Sequence, residues 1–387
     1  MLSTSLGKWL VRSAQRILLT LSYLRYRGVG KTISWVVGPE EIATMVKNIA
    51  DALPGSHTAV LSANRFYDFR YDSTVSGDGG GAFSVIRRLV AAPWLLGKLA
   101  RQAEGFIYVG ATGFLVETGD QREYEFAFLT RRGIRIVCYF TGNDIRSPRL
   151  MLAMQGETGE ENLATYLSQV NPVFATDAYD NTKRRIAEVA QKHAHVIFNS
   201  RVDQLSYLTV PTEPFRYFYP DDASFTSLDK FAEVTRLVIV HAPSSPVIKG
   251  TQIVRAAVRR LRDLGYAFDY VELIERPHSE VLAELSRAHI ALNEFYAFVP
   301  GVFGVEAMAA GCALVTGADE RVETDLPPGS NEAWLVTRGY EIFDNLKRLL
   351  DHPDELAPLA AAGQQWVREN ALASRSGEAL RKALARR

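Results

Sequence analysis

The residues best suited to chemistry lie in one segment, 292–311. An apolar stretch is followed by a loop that contains Pro300, Gly301 and Gly304. The pattern predicts a short helix that starts at Gly304 and stops before Gly311, a residue type favoured just after helix ends. Glycines let the backbone approach a ligand closely, and the first N–H groups of a helix favour a phosphate. This segment therefore predicts a phosphate-binding loop.

Glu306 follows this loop and is expected in the first turn of the helix. A carboxylate there can accept hydrogen bonds from two neighbouring hydroxyls, such as those of a ribose. Alternatively, an acid in a first turn simply suits the helix dipole, which contributes about 0.3–1 kcal/mol. The glycines before Glu306 and the small residues after it favour a binding site.

A second candidate is Lys249, in the loop after an apolar strand at 238–240. Thr251 is a plausible N-cap of the next helix, so Lys249 lies near a positive helix end, where a cation is disfavoured. An anion such as a diphosphate would offset this cost, and lysine binds phosphate as a flexible point charge. The alternative is that Lys249 extends into solvent.

Short apolar strands and helices must position these residues, and they alternate along most of the chain. Such alternation predicts parallel sheets built from βαβ units, whose ligands bind beyond the carboxyl ends of the strands. The first half has predicted strands at 32–37, 58–62, 106–109, 134–140 and 195–198, with helices at 40–52 and 83–102. The second half has strands at 237–240, 268–273, 290–293, 313–316 and 334–336, with helices at 251–264, 279–288 and 304–310.

The segment 210–229 breaks this alternation because it is rich in proline, aromatic residues and aspartate. Such composition is typical of an interdomain linker. A chain of 387 residues also exceeds the usual size of one core. We therefore expect an α/β protein with two doubly wound, Rossmann-like domains that face a cleft.

Composition excludes several other classes. Lys plus Arg and Asp plus Glu both number 44, and this balance argues against binding nucleic acid through bulk charge. Cys138 and Cys312 form neither a disulfide framework nor a metal-site spacing, which favours a cytoplasmic setting. The glycine-rich run 77–81 formally fits a dinucleotide fingerprint, but it follows no convincing first strand and is interpreted as a loop.

The first 31 residues form a predicted basic amphipathic segment, without any acid as far as Trp35. Apolar residues recur at helical spacing, as in helices that lie on anionic lipid, and a second basic and apolar stretch occupies 87–101. A helix packed on the domain with a solvated basic face is equally compatible. The apolar run 17–24 is too short to span a bilayer, and the segment does not fit a signal peptide. The basic residues are Lys8, Arg12, Arg16, Arg25, Arg27 and Lys31.

These motifs resemble a known family. Lys249-Gly250, followed by FGVEAMAAG at 303–311, resembles retaining glycosyltransferases of the B-type fold, similar to glycosyltransferase family 4. The likeness covers most of the chain and includes the loop 140–146 and the strand at 194–200. It implies an acceptor-side domain at 32–215, a nucleotide-sugar domain at 216–370, and a helix at 371–387 that packs back on the first domain.

The resemblance also implies roles for individual residues. Glu306 would bind the nucleotide ribose and Lys249 the donor diphosphate. Two positions depart from the family: Phe298 replaces a common glutamate, and Ser244 replaces a common arginine. Glu294 could replace the acid, and His241 or Arg276 could supply positive charge. The other implied donor-site residues are Gly250, Gly301, Val302, Phe303 and Gly304. Gly142, Asp144 and Arg146 would contact sugar or acceptor, unless the last two pair with each other.

The implied activity is transfer of a sugar from a nucleotide-diphosphate donor to a glycan or lipid-linked acceptor, with retention, in cell-envelope polysaccharide synthesis. No Asp-x-Asp motif occurs, so we expect neither a metal nor a cofactor. We expect a cytoplasmic protein, peripheral on the inner face of the membrane through 1–31 and 87–101, with no nucleic-acid partner. The alternatives are a nucleotide-sugar epimerase on the same fold and a catalytically degenerate paralogue.

Overall fold

The structure is a computed structural model that describes residues 5–64, 66–76, 82–232 and 234–386. The glycine-rich run 77–81 lies outside these residues. Within them the chain forms two parallel-sheet α/β domains, as predicted.

The first domain contains a six-stranded parallel sheet in the order β3-β2-β1-β4-β5-β6. Apolar side chains fill both of its faces, because helices cover the sheet on both sides. Its strands are β1 (Ile33–Pro39), β2 (Ser56–Ser62), β3 (Ser73–Ser76), β4 (Ala103–Val109), β5 (Arg135–Tyr139) and β6 (Val196–Phe198). Its helices are α1 (Ser5–Arg25), α2 (Met45–Asp51), α3 (Ala82–Gln102), α4 (Glu123–Thr130), α5 (Pro148–Thr158), α6 (Leu167–Val170) and α7 (Asp177–His193).

The second domain contains a five-stranded parallel sheet in the order β11-β10-β9-β7-β8. The reversal of strand order between β9 and β7 creates a crevice at their carboxyl ends, where ligands bind in such sheets. The strands are β7 (Leu237–His241), β8 (Phe268–Glu272), β9 (Ile290–Leu292), β10 (Ala313–Thr316) and β11 (Leu335–Val336). Its helices are α8 (Thr251–Asp263), α9 (His278–Arg287), α10 (Gly301–Ala309), α11 (Ile342–Asp351) and α12 (Leu356–Asn370), and α13 (Ala373–Ala385) follows them in the chain.

Helix α2 begins five residues later than the predicted 40–52, at Met45. Ala43 and Thr44 have positive φ angles of 49° and 64°, so the chain turns before the helix. Glu41 then accepts hydrogen bonds from the backbone N–H groups of Val46 and Lys47, at 3.0 and 3.1 Å. This carboxylate satisfies donors that have no partner inside the helix.

The segment 210–229 connects the two sheets but is packed rather than free. Tyr217 belongs to the core of the second domain, and Phe218 to that of the first. The hydroxyl of Tyr139 also donates to the carbonyl of Arg216 at 2.6 Å. Composition alone assigned these aromatic residues to a linker. They are buried because they pack at the junction of the two domains.

The chain ends on the first domain. Helix α13 buries Leu380 and Leu384 in the core that covers one face of the first sheet. Arg381 Nη1 donates to the carbonyl of Ala52 at the end of α2, at 3.0 Å. Helix α1 packs on α3 across the other face, where Leu19 is fully buried. Of the helices in the described ranges, none is long and apolar enough to cross a membrane.

Candidate functional site

A cleft with a volume of about 720 Å³ separates the two sheets. Its walls include the segment after β1, the segments after β7 and β9, and the start of α10. These are carboxyl ends of parallel strands, where the fold predicts a ligand. Lys249 and Glu306 both line this one cavity, so the two strongest sequence candidates lie together.

Lys249 lies immediately before α8 and points into the cleft. Gly250 occupies the N-cap position with φ 73°, a left-handed conformation that glycine adopts without strain. The side chain of Lys249 is 11% exposed, and its Nζ lies 3.0 Å from Oε1 of Glu294. The alternative of a lysine extended into solvent is therefore wrong.

Thr251 is not the N-cap, because it is the first residue of the helix itself. Its hydroxyl lies 2.9 Å from Nε2 of His241. The other ring nitrogen of His241 lies 2.9 Å from the carbonyl oxygen of Leu292. Burial lowers the pKa of His241 to about 4, so the ring is neutral at pH 7. His241 ties two strand ends together and, contrary to the prediction, does not line the cleft or supply positive charge.

Glu306 lies in the second turn of α10 rather than the first, because the helix begins at Gly301 and not at Gly304. The helix dipole stabilises an acid only within the first turn. The alternative that Glu306 simply suits the helix dipole is therefore weakened. Its Oε1 lies 2.7 Å from Nε2 of His278. Burial disfavours the imidazolium form, but the hydrogen bond and charge of Glu306 outweigh it and raise the pKa of His278.

The segment 301–304 divides into a cleft-facing part and a packing part. Gly301, Val302 and Phe303 line the cavity in the first turn of α10, where backbone donors lack helical partners. The Gly301 N–H donates to the hydroxyl of Tyr217 at 3.1 Å. Gly304 does not line the cavity, since a Cβ there would lie 3.0 Å from neighbouring side chains. Because Gly304 has no side chain, the helix can pack closely on the sheet. The prediction that Gly304 contacts the ligand is therefore wrong.

The position that departs from the family, Phe298, is 1% exposed and packs with Met151 and Ala164 of the first domain. Its N–H donates to Oδ1 of Asp203 at 2.9 Å. Phe298 therefore joins the domains and, contrary to the prediction, does not line the cleft. Ser244, the other departure, does line the cavity. Glu294 and Arg276, the proposed replacements, line it as well.

The loop after β5 also differs from its prediction. The carboxylate of Asp144 accepts hydrogen bonds from the backbone N–H groups of Thr141, Gly142 and Ile145. Arg146 is 4% exposed and pairs with Asp203 at 2.7 Å. Asp144 and Arg146 thus neither pair with each other nor line the cavity. They hold the loop whose Thr141 lines the cleft.

Sequence reasoning missed a group of residues where the two walls of the cleft meet. The backbone N–H of His278 donates to the carbonyl of Phe66 in the first domain at 3.3 Å. The rings of His278 and Tyr67 lie 5.2 Å apart, edge to face. Glu41 lines the same cavity, and burial raises its pKa to about 7. The sequence did contain a signal for them, because Glu41 and His278 come shortly after β1 and β8 and ligands bind beyond the carboxyl ends of such strands.

No group of three or more His, Cys, Asp or Glu side chains in the described ranges is arranged to hold a metal ion. The independence from metal that the sequence suggests stays a prediction.

Residues 247–381 match the sequence model of a family described as glycosyl transferase-like. No curated protein sequence matches the chain. The fold is similar to that of WaaG, a glycosyltransferase involved in lipopolysaccharide biosynthesis, with a TM-score of 0.53 and 12% identity over 92% of this chain and 100% of that one.

Two further structures are similar at a TM-score of 0.50 and 13% identity. S. aureus MnaA bound to UDP aligns over 92% of this chain and 96% of its own. An alpha-glucosyltransferase in complex with UDP and a 13-mer DNA aligns over 92% and 100%. The predicted B-type glycosyltransferase fold is confirmed, and the match at 247–381 covers the part that carries Lys249 and Glu306.

Proposed function

We propose that the protein transfers a sugar from a nucleotide-diphosphate donor to a glycan or lipid-linked acceptor. The observation that carries this proposal is that Lys249 and Glu306 line one cavity of about 720 Å³. A cation beside the start of α8 suits a diphosphate. A carboxylate beyond the start of α10 suits the two hydroxyls of a ribose.

In the proposed reaction, negative charge develops on the diphosphate as the bond to the anomeric carbon breaks. Lys249 and the N–H groups of Val302 and Phe303 in the first turn of α10 stabilise that charge, because they are fixed in place before the reaction. Glu294 lies 3.0 Å from the lysine and is positioned to contact the sugar beside the diphosphate. The acceptor oxygen forms its bond to the anomeric carbon from the face that the diphosphate leaves, so the configuration is retained. The leaving phosphate accepts the proton of that hydroxyl, and no separate base is needed.

Ribose binding has a structural consequence at Glu306. The carboxylate already pairs with His278 at 2.7 Å. Ribose hydroxyls would share or displace that contact, so donor binding is coupled to the Phe66–His278 bridge between the domains. The acceptor would approach from the wall formed by Glu41 and Tyr67.

The similar structures and helix α1 support the finer parts of the proposal. The description of WaaG supports a role in cell-envelope polysaccharide synthesis, and UDP in two of the similar structures supports a uridine donor. The basic helix α1 supports a peripheral position on the inner, cytoplasmic face of the membrane. We also propose that neither a metal nor a cofactor takes part.

A nucleotide-sugar epimerase is the second candidate, favoured by the titratable groups across the cleft. Glu41, whose pKa is raised to about 7, faces the same cavity as His278 and Glu306. Such groups suit proton removal and return at a sugar carbon. An epimerase would use the first-domain wall for this chemistry and need no acceptor.

One experiment separates these functions. The protein is incubated with a panel of UDP-sugars in D₂O, with and without candidate glycan acceptors, and products are identified by NMR and mass spectrometry. Acceptor-dependent sugar transfer without deuterium at a sugar carbon supports the transferase. Deuterium exchange without transfer supports the epimerase, and UDP binding without turnover supports a degenerate binding protein. Turnover that survives both Lys249→Ala and Glu306→Ala contradicts the site.

A further inference from the structure

Helix α1 turns its apolar side away from the protein. Leu10, Ile17, Leu21 and Leu24 recur at spacings of seven, four and three residues, so they share one helical face with Leu6. Apolar side chains on that face are between 52% and 65% exposed. They are Leu6, Trp9, Leu10, Ile17, Leu21 and Leu24.

The neighbouring helix α3 extends this exposed apolar surface. Ile86, Val90 and Trp94 recur every four residues and are 57%, 49% and 37% exposed. Large contiguous apolar patches are rare on soluble monomers and mark interaction sites. We call the nine side chains on the two helices the α1–α3 face.

The inward side of α1 is fixed by polar and close contacts, so the helix cannot simply roll over. Ser22 Oγ donates to the carbonyl of Trp94 at 2.6 Å, where the glycine at 97 allows the helices to touch. Gln15 Nε2 donates to the carbonyl of Val116 at 3.3 Å. Rolling the helix to bury its apolar side would break these bonds and expose Leu19, which is now fully buried.

The charge of the two helices indicates what covers the α1–α3 face. They contain eight lysines and arginines and no acid, although the whole chain has equal numbers of basic and acidic residues. Lys8, Arg25 and Arg87 are exposed beside the apolar side chains. Apolar side chains flanked by basic ones match a bilayer with anionic headgroups. A second copy of this face would instead place like charges against each other.

We propose that the α1–α3 face docks on an anionic lipid bilayer, with its apolar side chains inserted at the headgroup boundary. The inference deepens the peripheral position proposed above by naming the surface, but it does not depend on sugar transfer. Vesicle binding needs no nucleotide, so its failure is distinguishable from failure of the cleft.

The test is co-sedimentation of the full chain with vesicles of phosphatidylcholine alone or with about 30 mol% phosphatidylglycerol. The wild type is expected to bind the anionic vesicles, and less so in about 1 M salt, where charges are screened. The double variant Ile17→Asn, Leu21→Asn should lower the partition coefficient about tenfold or more, because it removes inserted apolar area. The matched control is Val173→Asn, Leu264→Asn, two substitutions elsewhere at similar exposure, 54% and 57%.

Tryptophan fluorescence gives an independent readout of the same contact. Of the five tryptophans in the sequence, Trp9 and Trp94 lie on the proposed face. The others, Trp35, Trp334 and Trp366, are at most 7% exposed. Brominated lipid should quench the wild type, whereas Trp9→Phe, Trp94→Phe should bind vesicles but lose most of that quenching.

Three results would overturn the proposal. The first is a wild type that does not sediment with anionic vesicles. The second is equal binding by the Ile17/Leu21 variant and the control. The third is self-association without vesicles that the Ile17/Leu21 substitutions abolish, which would assign the face to a second copy of the chain. UDP binding by each variant, measured in parallel, verifies that the cleft is folded.

Discussion

The Nζ atom of Lys249 lies 3.0 Å from Oε1 of Glu294 in the cleft wall between the two domains. The pair lies beside the start of α8, where the helix dipole disfavours a cation. Glu294 offsets that cost in the free protein and keeps the lysine directed into the cavity. A diphosphate would take over the same role, which makes Lys249 a prepared anion site.

Lys249→Met should selectively weaken diphosphate binding. A hydrogen bond to a charged group contributes about 1.5–3 kcal/mol, so we expect UDP affinity to fall about 10- to 100-fold. Uridine, which lacks phosphate, should bind the variant and the wild type equally. Isothermal titration with both ligands measures this. Lys192→Met, an exposed lysine paired with Glu123 on the first domain, is the control. A parallel loss of uridine affinity would contradict the assigned role.

Glu306→Ala should remove discrimination between ribose and deoxyribose. The wild type is expected to bind UDP about tenfold more tightly than 2′-deoxy-UDP, because the carboxylate accepts a hydrogen bond from the 2′ hydroxyl. In the variant the two affinities should converge within about twofold. Competition binding with the two nucleotides tests this. Glu280→Ala, an exposed acid on α9, is the matched control. Full discrimination in Glu306→Ala would place the ribose elsewhere.

Some of this site was visible in the sequence because its signals are local. Lys249 and Glu306 each follow a short buried strand. In both places the neighbouring residues were enough to predict that a helix starts nearby. β9 and β10 were found because strands covered on both faces are continuous apolar runs. β3 was missed because Ser73–Ser76 contains a single apolar residue.

The rest depends on packing between distant parts of the chain. Phe298 is buried by Met151, which lies in the other domain, and Arg146 finds its partner in Asp203. No local pattern indicates which way such side chains turn. The pairing of His278 with Glu306 likewise arises only when α9 and α10 lie side by side.

The His278–Glu306 pair predicts a pH dependence of stability. Burial disfavours the charged ring, but Glu306 raises its pKa above the usual 6.5. The stabilisation is therefore complete below the unfolded-state pKa and is lost as the pH rises through the folded-state value. The difference in unfolding free energy between wild type and His278→Asn should therefore shrink as the pH rises from well below 6.5 to well above it. Urea denaturation across this range measures it. A difference that grows with pH would contradict the pairing.

The buried pair of Arg146 and Asp203 should be structural. Breaking one partner of a buried pair costs about 3–5 kcal/mol, so Arg146→Met should lower the unfolding free energy by roughly that amount. UDP affinity of the folded fraction should change less than about twofold. Arg149→Met, an exposed arginine on α5, is the control and should cost less than about 1 kcal/mol. Loss of UDP affinity without loss of stability would instead assign Arg146 to the ligand site.

The central claim is that one cleft binds a nucleotide diphosphate between Lys249 and Glu306. Isothermal titration of the full chain with UDP, GDP and ADP, repeated on Lys249→Met and Glu306→Ala, tests it most directly. We predict that at least one diphosphate binds the wild type with a single site and that each substitution weakens that same ligand about tenfold or more. Binding of none of the three, or binding that both substitutions leave unchanged, would contradict the claim.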